Sequence, residues 1–537
     1  MSIFNSKDTP SEVMAKVVKH GGLGYDGLVR KEGDLAIGKL RLVGAYDDRI
    51  EGCFMLRTRI PGGHLTVDQA RVIGKVANEF SIRPKDADVY DDRFIEITTR
   101  QAIQIHWIKV DDLSEIWRMY GRVGLTSVES CGNTTRNIVS CPAHGLSDDE
   151  VIDTYPIVEE VNKYVLSNPE ISAFLPRKFK IAITGSVEDC VLYKINDLAF
   201  TPADLEGEVG FNVSGGGGLS DYPRIASDLN LFVSTSDVLE AVRACLSLFI
   251  DFGDYKHSAI NRFRMLVSSM GVNKVRDELE KRASFRFRTS GRSLQMNKSV
   301  DHVGVYKQKQ DGLTYVGLNV PVGRMNARDL IEVADVSEKY GSHDLRLTNR
   351  QNIMIINVKT GSVDNLLNES VVRRFHPYPT PFKRGIVACT GAPLCKFGNS
   401  NTKSTGLEMA KHLDRRYKDG LSNPFQFTIH VSGCKASCAQ LQIADIGLRA
   451  SVAKNEESLE EAFDICLGGC LAEGRFAEWI AYAFPSRDIN NAVERLIEYY
   501  SSNRKRGETL ADFNKRVGSE SIIKVMKGGS LKRLGGS

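Results

Sequence analysis

The residues best spaced for chemistry are cysteines. Cys389 and Cys395 stand in CTGAPLC with five residues between them, and Cys434 and Cys438 stand in CKASC with three, after the strand-like FQFTIHV. Structural zinc favours about two to four residues between paired ligands, so the wider first gap argues against a zinc ribbon. Four thiolates from two loops suit a cubane [4Fe–4S] cluster, and the Gly, Ala, Ser and Pro around them leave room for inorganic sulfide. Read singly, either pair could be buried small hydrophobes, since free cysteine is often fully buried. Cys466 and Cys470, in CLGGC, form a rival second pair with the same three-residue gap. Spacing alone does not choose between that pair and Cys434/Cys438.

Cations make the second pattern. Arg57 and Arg59, at i and i+2, fall on one face of a β-rich stretch, and Lys178 and Lys180 in LPRKFK do the same. Each pair alone reads as a solvated strand edge or as an anion site. The elements that carry the first pair occur twice. Residues 53–110 run CFMLRTRIPGG, a helical stretch, then FIEITTRQAIQIHWIKV; residues 314–360 run TYVGLNVPVGR, a second helical stretch, then DLRLTNRQNIMIINVKT. Thr98, Arg100, Gln101 and Ile103 match Thr348, Arg350, Gln351 and Ile353, and Pro61 matches Pro321. Each copy reads strand, helix, strand, turn, strand. Thr66 with Gln69 predicts a capping box opening a helix through Phe80, and Asn326 is the predicted N-cap of a helix running to Tyr340. Where the first copy has Arg57 and Arg59, the second has Gly317 and Asn319. Cations kept on one copy of a duplicated scaffold favour the anion site.

With 71 basic and 67 acidic side chains the net charge is +4, too balanced to announce a nucleic-acid binder. A hydrophobic fraction of 42% and a charged fraction of 26% are ordinary globular usage. No run reaches the roughly 20 apolar residues of a bilayer span; the richest, Leu246–Phe252, is broken by Asp251. The opening MSIFNSKDTPSEVMAK has no basic stretch followed by an apolar core, so no secretory signal and a cytoplasmic location are expected. Eleven cysteines, an odd number, then speak for ligation or redox chemistry rather than a disulfide framework. The Gly215–Gly218 run lacks the Lys-Ser/Thr of a P-loop and the spaced glycines of a dinucleotide fingerprint.

CTGAPLC followed by SGCKASCAQLQIADIGL resembles the cluster region of the siroheme-containing nitrite and sulfite reductases. The likeness runs from about residue 35 to about residue 485 and takes in FMLRTRIPGG, ITTRQAIQIHW, FLPRKFKIAITG, GFNVSGGGGL and LGGCLAEGRF. The resemblance implies that Cys389, Cys395, Cys434 and Cys438 ligate the [4Fe–4S] cluster and that the Cys438 thiolate also bridges to the siroheme iron. It puts Cys470 in a glycine-rich strand end where no ligand is expected. It implies that Arg57, Arg136 (in NTTRNIV), Lys178 and Lys180 line the distal face and hold the substrate. Arg100, Gln104 and Arg262 look like siroheme contacts, with Arg59 a further candidate. Siroheme is polycarboxylated, so its pocket needs many Arg and Lys side chains. The family's usual Pro-Asn between the last two ligands is Lys435-Ala436 here, which costs loop rigidity and places a positive charge that should raise the cluster's potential. His106, on the strand face of Gln104, is expected as a satisfied core group rather than an axial ligand. Cys131 and Tyr46 are expected near the haem pocket, in packing roles.

The implied activity is a six-electron reduction at a coupled siroheme–[4Fe–4S] centre, of sulfite to sulfide as in sulfur assimilation, or of nitrite to ammonia. Lys180 stands where nitrite-reducing relatives tend to carry Asn. An extra ammonium in a low-dielectric pocket favours a dianion, so sulfite is the preferred reading and ferredoxin-dependent nitrite reduction the alternative. No flavin or nicotinamide module is legible, so electrons are expected from an external donor, a ferredoxin or a separate flavoprotein subunit. Neither nucleic acid nor membrane is an expected partner. Competing classes are a corrin-pathway oxygenase sharing the cluster motif and an iron–sulfur RNA-binding or redox-sensing protein. The completeness of the basic set speaks against the first and the near-neutral charge against the second. The expected fold is α+β, a pseudo-twofold pair of ferredoxin-like half-modules plus two mixed α/β domains binding siroheme and cluster. Expected boundaries are an N-terminal arm at 1–38, half-repeats at 39–112 and 299–365, a siroheme-binding domain at 113–298, and a cluster-binding domain at 366–537 with a basic C-terminal tail.

Overall fold

The computed structural model describes residues 8–85, 87, 92–257, 260–296, 298–417, 427–454 and 459–529. The start of the expected N-terminal arm and the last residues of the basic tail lie outside the described residues. The chain divides into two compact units. One comprises the residues up to Gly218, Tyr222–Val320 and Arg324–Pro377; the other comprises Leu219–Asp221, Pro321–Gly323 and the residues from Tyr378 onward.

In the first unit, the first repeat supplies β1 (Ala45–Asp47), β2 (Phe54–Thr58), β3 (His64–Thr66), β4 (Phe94–Ile97) and β5 (Ile103–Ile108). The intervening domain supplies β6 (Ile181–Ile183), β7 (Leu198–Leu205), β8 (Glu208–Gly215), β9 (Ser227–Val233) and β10 (Arg292–Ser293). Its sheet runs β10–β7–β8–β9 with β6 parallel to β7. The helices Tyr155–Ser167 and Val238–Phe252 share a core with it, in which Phe179, Phe200, Phe211, Phe249 and Phe263 are fully buried. The second repeat supplies β11 (Gly304–Lys307), β12 (Leu313–Leu318), β13 (Arg324–Asn326), β14 (Asp344–Leu347) and β15 (Ile353–Lys359).

Each repeat completes the other's sheet. β3 of the first pairs antiparallel with β14 of the second, Leu65 opposite Leu345, and β13 of the second pairs with β4 of the first, Met325 opposite Ile95. The two five-stranded sheets therefore run β1–β2–β5–β4–β13 and β11–β12–β15–β14–β3, the pseudo-twofold expected of the duplication. The short strands β3 and β13 were not anticipated from the sequence. The predicted helices are present: Thr66 and Gln69 form a reciprocal capping box on Val67–Phe80, and the Asn326 side chain caps Ala327–Tyr340. These two helices approach closely at Gly74, where a β-carbon would lie 2.6 Å from Ile331 Cγ1. Arg71 reaches across to Asp335 at 2.7 Å.

The repeated Thr-x-Arg-Gln turn has a shared cause. The hydroxyls of Thr98 and Thr348 each accept the backbone N–H groups two and four residues on. Gln101 and Gln351 hold left-handed backbone at φ 54° and 63°. Their amides then cross the pseudo-twofold: Gln101 donates to the Leu347 carbonyl at 2.9 Å and Gln351 to the Ile97 carbonyl at 3.1 Å. The N-terminal segment is largely helical and packs Val13, Val17 and Leu28 into the repeats' core.

In the second unit β16 (Ile386–Ala388), β17 (Ile429–Ser432), β18 (Ile446–Lys454), β19 (Leu459–Leu467) and β20 (Glu478–Pro485) form one sheet in chain order, parallel from β16 to β18 and antiparallel after. Helices Thr402–Arg416 and Ile489–Asn503 pack Met409, Leu413 and Leu496 against it. Among the described residues no helix is long and apolar enough to cross a membrane.

The packing of the first unit can be tested at two positions. Gly63 has φ +74°, and a β-carbon there would sit 2.3 Å from the Leu347 carbonyl oxygen of the exchanged sheet. Gly63→Ala is therefore expected to destabilise by about 2 kcal/mol or more, read as a fall in Tm, whereas Gly121→Ala, with open space around it, should leave Tm nearly unchanged. His106 is buried, its Nδ1 2.9 Å from Asp48 and its Nε2 3.6 Å from Glu96. Burial pulls its pKa down, but the two carboxylates outweigh it and hold it up at about 9. A raised folded-state pKa stabilises fully below the unfolded value of about 6.5, and that contribution disappears as pH rises through about 9. Stability should thus fall between pH 7 and 9.5, and His106→Gln should flatten that slope; an unchanged slope would count against the assignment.

Candidate functional site

The parallel pairing of β16 with β17, Ala388 opposite Val431, decides where the cysteines fall. Cys389 directly follows β16, and Gly433 and Cys434 directly follow β17, so both loops leave the carboxyl ends of neighbouring strands. The Cys389 N–H donates to the Val431 carbonyl at 3.1 Å and the Asn399 N–H to the Gly433 carbonyl at 2.9 Å. The loops interlock through glycines: a β-carbon on Gly433 would lie 3.2 Å from Gly391 Cα and 3.3 Å from Gly398 Cα. The Gly433 N–H points at Cys389 Sγ at 3.2 Å. Burial, with Cys438 and Cys395 close by, pushes the Cys389 thiol up to about 11. Cys389, Cys395 and Cys434 are half-buried and Cys438 is exposed. Two soft-donor loops with glycine-lined backbone between them fit a cluster that carries its own sulfide.

The rival pair is separated by burial. Cys466 is fully buried in β19 beside Leu441, Ala477 and Trp479, and burial raises its thiol to about 12. It is a core residue, and Cys470 is left without its partner.

The cations meet in the first unit. Arg57 is directly opposite Gln104 across β2 and β5, and its guanidinium donates to Gln104 Oε1 at 2.9 Å, to the Ser130 carbonyl at 3.1 Å and to Cys131 Sγ at 3.3 Å. Arg136 donates to the same Ser130 carbonyl at 2.9 Å. Arg59 reaches the adjacent loop carbonyl, that of Glu129, and also Thr135 O at 2.8 Å and Asn162 Oδ1 at 2.6 Å. It is buried, and desolvation lowers it to about 10; three protein acceptors make it a clamp on the loop around residue 130. Arg100 is tied to Asn196 Oδ1 at 2.6 Å and to the Asn137 and Ile181 carbonyls. Arg262 donates to both oxygens of the fully buried Asp197 at 2.9–3.0 Å.

Lys178 and Lys180 flank Phe179, which is buried in the core and bridged to Thr135. Alternation therefore turns both lysines to the other face of this extended stretch, as their i, i+2 spacing predicts. Lys180's own N–H donates to Asp197 Oδ2 at 2.9 Å. Its ammonium is held well below the ordinary lysine range by desolvation, then by Arg100, Arg262 and Lys178, with Asp197 pulling the other way. Arg100 is lowered to about 9 by desolvation, with Arg136, Arg262 and Arg59 adding repulsion against Asp197. A set of cations held in mutual repulsion of this kind is electrostatically suited to an anion. Arg100 Nε, Arg262 Nε and Arg59 Nη2 are buried without a hydrogen-bond partner among the described residues. A polycarboxylated macrocycle such as siroheme supplies the negative charge and acceptors this set calls for, so the residues fit that group.

Sequence reasoning missed Asp197 and Asn196, which anchor Arg262 and Arg100, and Arg177, whose guanidinium is lowered by desolvation and by Arg262. The glycine run serves packing: β-carbons on Gly217 and Gly218 would strike Asn196 O at 2.6 Å and Arg264 Nη1 at 2.8 Å. Tyr46 lies under the Arg41 guanidinium at 4.5 Å, and Cys131 is buried beside Arg57.

The chain is similar to known proteins over most of its length. The family model described as the nitrite and sulphite reductase 4Fe-4S domain matches residues 131–287 and 380–532. The nitrite/sulfite reductase ferredoxin-like half domain matches residues 48–121 and 306–370. The chain is 35% identical over 523 residues to an assimilatory ferredoxin-dependent nitrite reductase of Haloferax mediterranei, covering 93% of this chain and 88% of that one. It is 31% identical over 541 residues to sulfite reductase [ferredoxin] 1 of Mycolicibacterium paratuberculosis, covering 96% and 94%. The solved structure of the Mycobacterium tuberculosis NirA protein superposes with a TM-score of 0.89 at 28% identity, covering 97% of this chain and 96% of that one. Matched in both halves of its duplication and in both cysteine loops, the chain belongs to the nitrite and sulphite reductase family, and siroheme and a [4Fe–4S] cluster are its cofactors.

Proposed function

We propose that this chain reduces nitrite to ammonia with electrons from a ferredoxin. The reading is carried by the near-full-length likeness to a reductase named as ferredoxin-dependent and nitrite-reducing; a Leptolyngbya laminosa ferredoxin–nitrite reductase is similar at 34% identity over 478 residues. The preference for sulfite drawn from Lys180 gives way on physical grounds. That argument treats Lys180 as a fixed extra charge, yet desolvation and three neighbouring cations push its ammonium toward the neutral form. A lysine in that state does not by itself select a dianion. The likeness to a ferredoxin-named sulfite reductase, and Lys180 itself, keep sulfite as the second reading.

Siroheme and the [4Fe–4S] cluster, when bound, would supply one-electron chemistry at iron. The chain's own residues do the rest. Arg57 and Arg136, fixed on one carbonyl, orient the oxyanion with planar donors. Arg100 and Arg262, braced by Asn196 and Asp197, hold carboxylates of the macrocycle. Lys178 adds positive charge where the anion enters. Lys180, a stronger acid than an ordinary lysine while no anion is near, regains proton affinity when one arrives and then donates at the oxygen being removed. Cys389, Cys395, Cys434 and Cys438 hold the cluster.

Steady-state kinetics with reduced ferredoxin should give a kcat/KM for nitrite at least about tenfold above that for sulfite; the reverse order would overturn the proposed substrate. Lys180→Asn should lower kcat/KM for nitrite and sulfite by similar factors, within about threefold of each other; a loss about tenfold larger for sulfite would restore Lys180 as a selecting charge and the sulfite reading with it. Cys434→Ser should abolish the cluster's absorption and its reduced-state electron paramagnetic resonance signal, while Cys470→Ser keeps both.

A further inference from the structure

Cys141, Cys190 and His302 take no part in the site above, yet they meet. Their two sulfurs and a ring nitrogen all lie within 4.8 Å of one another, and all three residues are buried. They come from three segments of the first unit. Cys141 follows the stretch whose Val139 bridges to Ala182 on β6, Cys190 lies between β6 and β7, and His302 lies on the approach to β11. Cys141 Sγ is 3.6 Å from His302 Nε2. An ion bound about 2.3 Å from sulfur and about 2.0–2.1 Å from nitrogen at the tetrahedral angle separates those atoms by about 3.6 Å. On the other side of the ring, His302 Nδ1 is 3.2 Å from the Tyr315 hydroxyl. A proton on Nδ1 donated to that oxygen leaves the Nε2 lone pair facing the thiols, the usual outer-sphere arrangement of a ligating histidine.

The backbone is shaped for this. His302 is left-handed at φ 59°, and its carbonyl occupies the space a β-carbon on Gly317 would fill, at 1.6 Å. Gly317 is opposite Met354 across β12 and β15, just as Arg57 is opposite Gln104 across β2 and β5. The repeat alignment makes these pairs equivalent. Met354 packs in one apolar cluster with Cys141, Cys190 and Tyr315. Where the first repeat carries Arg57 and Gln104, the second therefore presents an apolar wall, and Cys141 and Cys190 of the neighbouring domain pack against it. Two thiolates and a neutral imidazole around a divalent ion sum to zero charge, which an apolar enclosure tolerates; a monovalent ion would leave one negative charge buried.

We propose that Cys141, Cys190 and His302 bind one zinc ion, a structural staple joining the approach to β11 to the domain of β6–β10. The test uses the holoenzyme, equilibrated with zinc chloride and freed of excess by gel filtration. Elemental analysis should find about one zinc per chain beside the iron of the cofactors. Absorption at the zinc edge, which iron does not disturb, should show two sulfurs near 2.3 Å and a nitrogen near 2.0 Å. Cys141→Ser should drop zinc below about 0.1 per chain while iron content and the siroheme spectrum persist. A wild-type protein without zinc, an oxygen-and-nitrogen shell without sulfur, zinc unchanged in Cys141→Ser, or a two-dalton mass deficit mapping to a Cys141–Cys190 disulfide would each overturn the proposal. Should Cys141→Ser fail to fold, the wild-type edge spectrum decides alone.

Discussion

The reciprocal exchange of β3 and β13 is the constraint from which the first unit's site geometry descends. A three-residue strand is too short to hold a register by itself; here each is fixed because it closes the other repeat's sheet and leads straight into a capped helix. The exchange also sets the direction of the side chains at each repeat's turn. Gln101 and Gln351 spend their amides on carbonyls across the pseudo-twofold, which frees the neighbouring Arg100 to turn the other way, toward Asn137 and Asn196. Arg57 and Gln104 thus stand on one sheet, with Arg59 and Arg100 just beyond its strand ends, and the β13 edge of that sheet cannot slip without disturbing the second repeat.

On that frame sits an electrostatic problem. Arg100 is repelled by Arg136, Arg262 and Arg59, and Lys180 by Arg100, Arg262 and Lys178, while Asp197 pairs with Arg262 and offsets the repulsion at Arg100 and Lys180. The chain keeps this cluster folded by spending backbone carbonyls on guanidiniums: Ser130, Glu129, Thr135, Asn137 and Ile181 all accept from arginine. Neutral acceptors satisfy the N–H groups without cancelling the charge, so the field remains available to an incoming polyanion. The glycine run after β8 belongs to the same solution, since it lets backbone pack onto Lys194–Asn196 and hold the residue next to Asp197 in place.

What could be read in the sequence were features with a local physical signature. The capping residues Thr66 and Asn326 appear where predicted because a side-chain oxygen three residues or fewer from a free N–H needs nothing distant. The alternation that turns Lys178 and Lys180 together is equally local. The strand exchange was not legible, because three-residue strands carry no periodicity and their partners lie in the other repeat. Asp197 was missed for a related reason: a lone acid in INDLAF has no motif, and its role exists only once Arg262 and Lys180 fold onto it. The choice between Cys434/Cys438 and Cys466/Cys470 was equally beyond spacing. It turns on the direction a β19 side chain faces, and Cys466 faces the core. For Arg59, alternation gave the correct side of the strand but not the reach, which ends on Asn162 and two carbonyls.

The two repeats share a backbone solution and differ in what fills it, and the difference has a steric origin. In the second repeat the His302 carbonyl stands over residue 317, so no side chain longer than hydrogen fits there. A cation at that position is excluded before any electrostatic selection acts. Once Arg is excluded, a polar partner opposite it has nothing to bind, and Met354 instead of a glutamine removes a buried amide that would lack acceptors. The apolar wall that results favours soft, polarisable side chains over unpaired hard cations, which is the chemistry of Cys141, Cys190 and Met354. One backbone intrusion, at a position where the first module carries Arg57, is enough to carry the duplicated sites to opposite ends of donor chemistry while leaving the strand order of the two sheets the same.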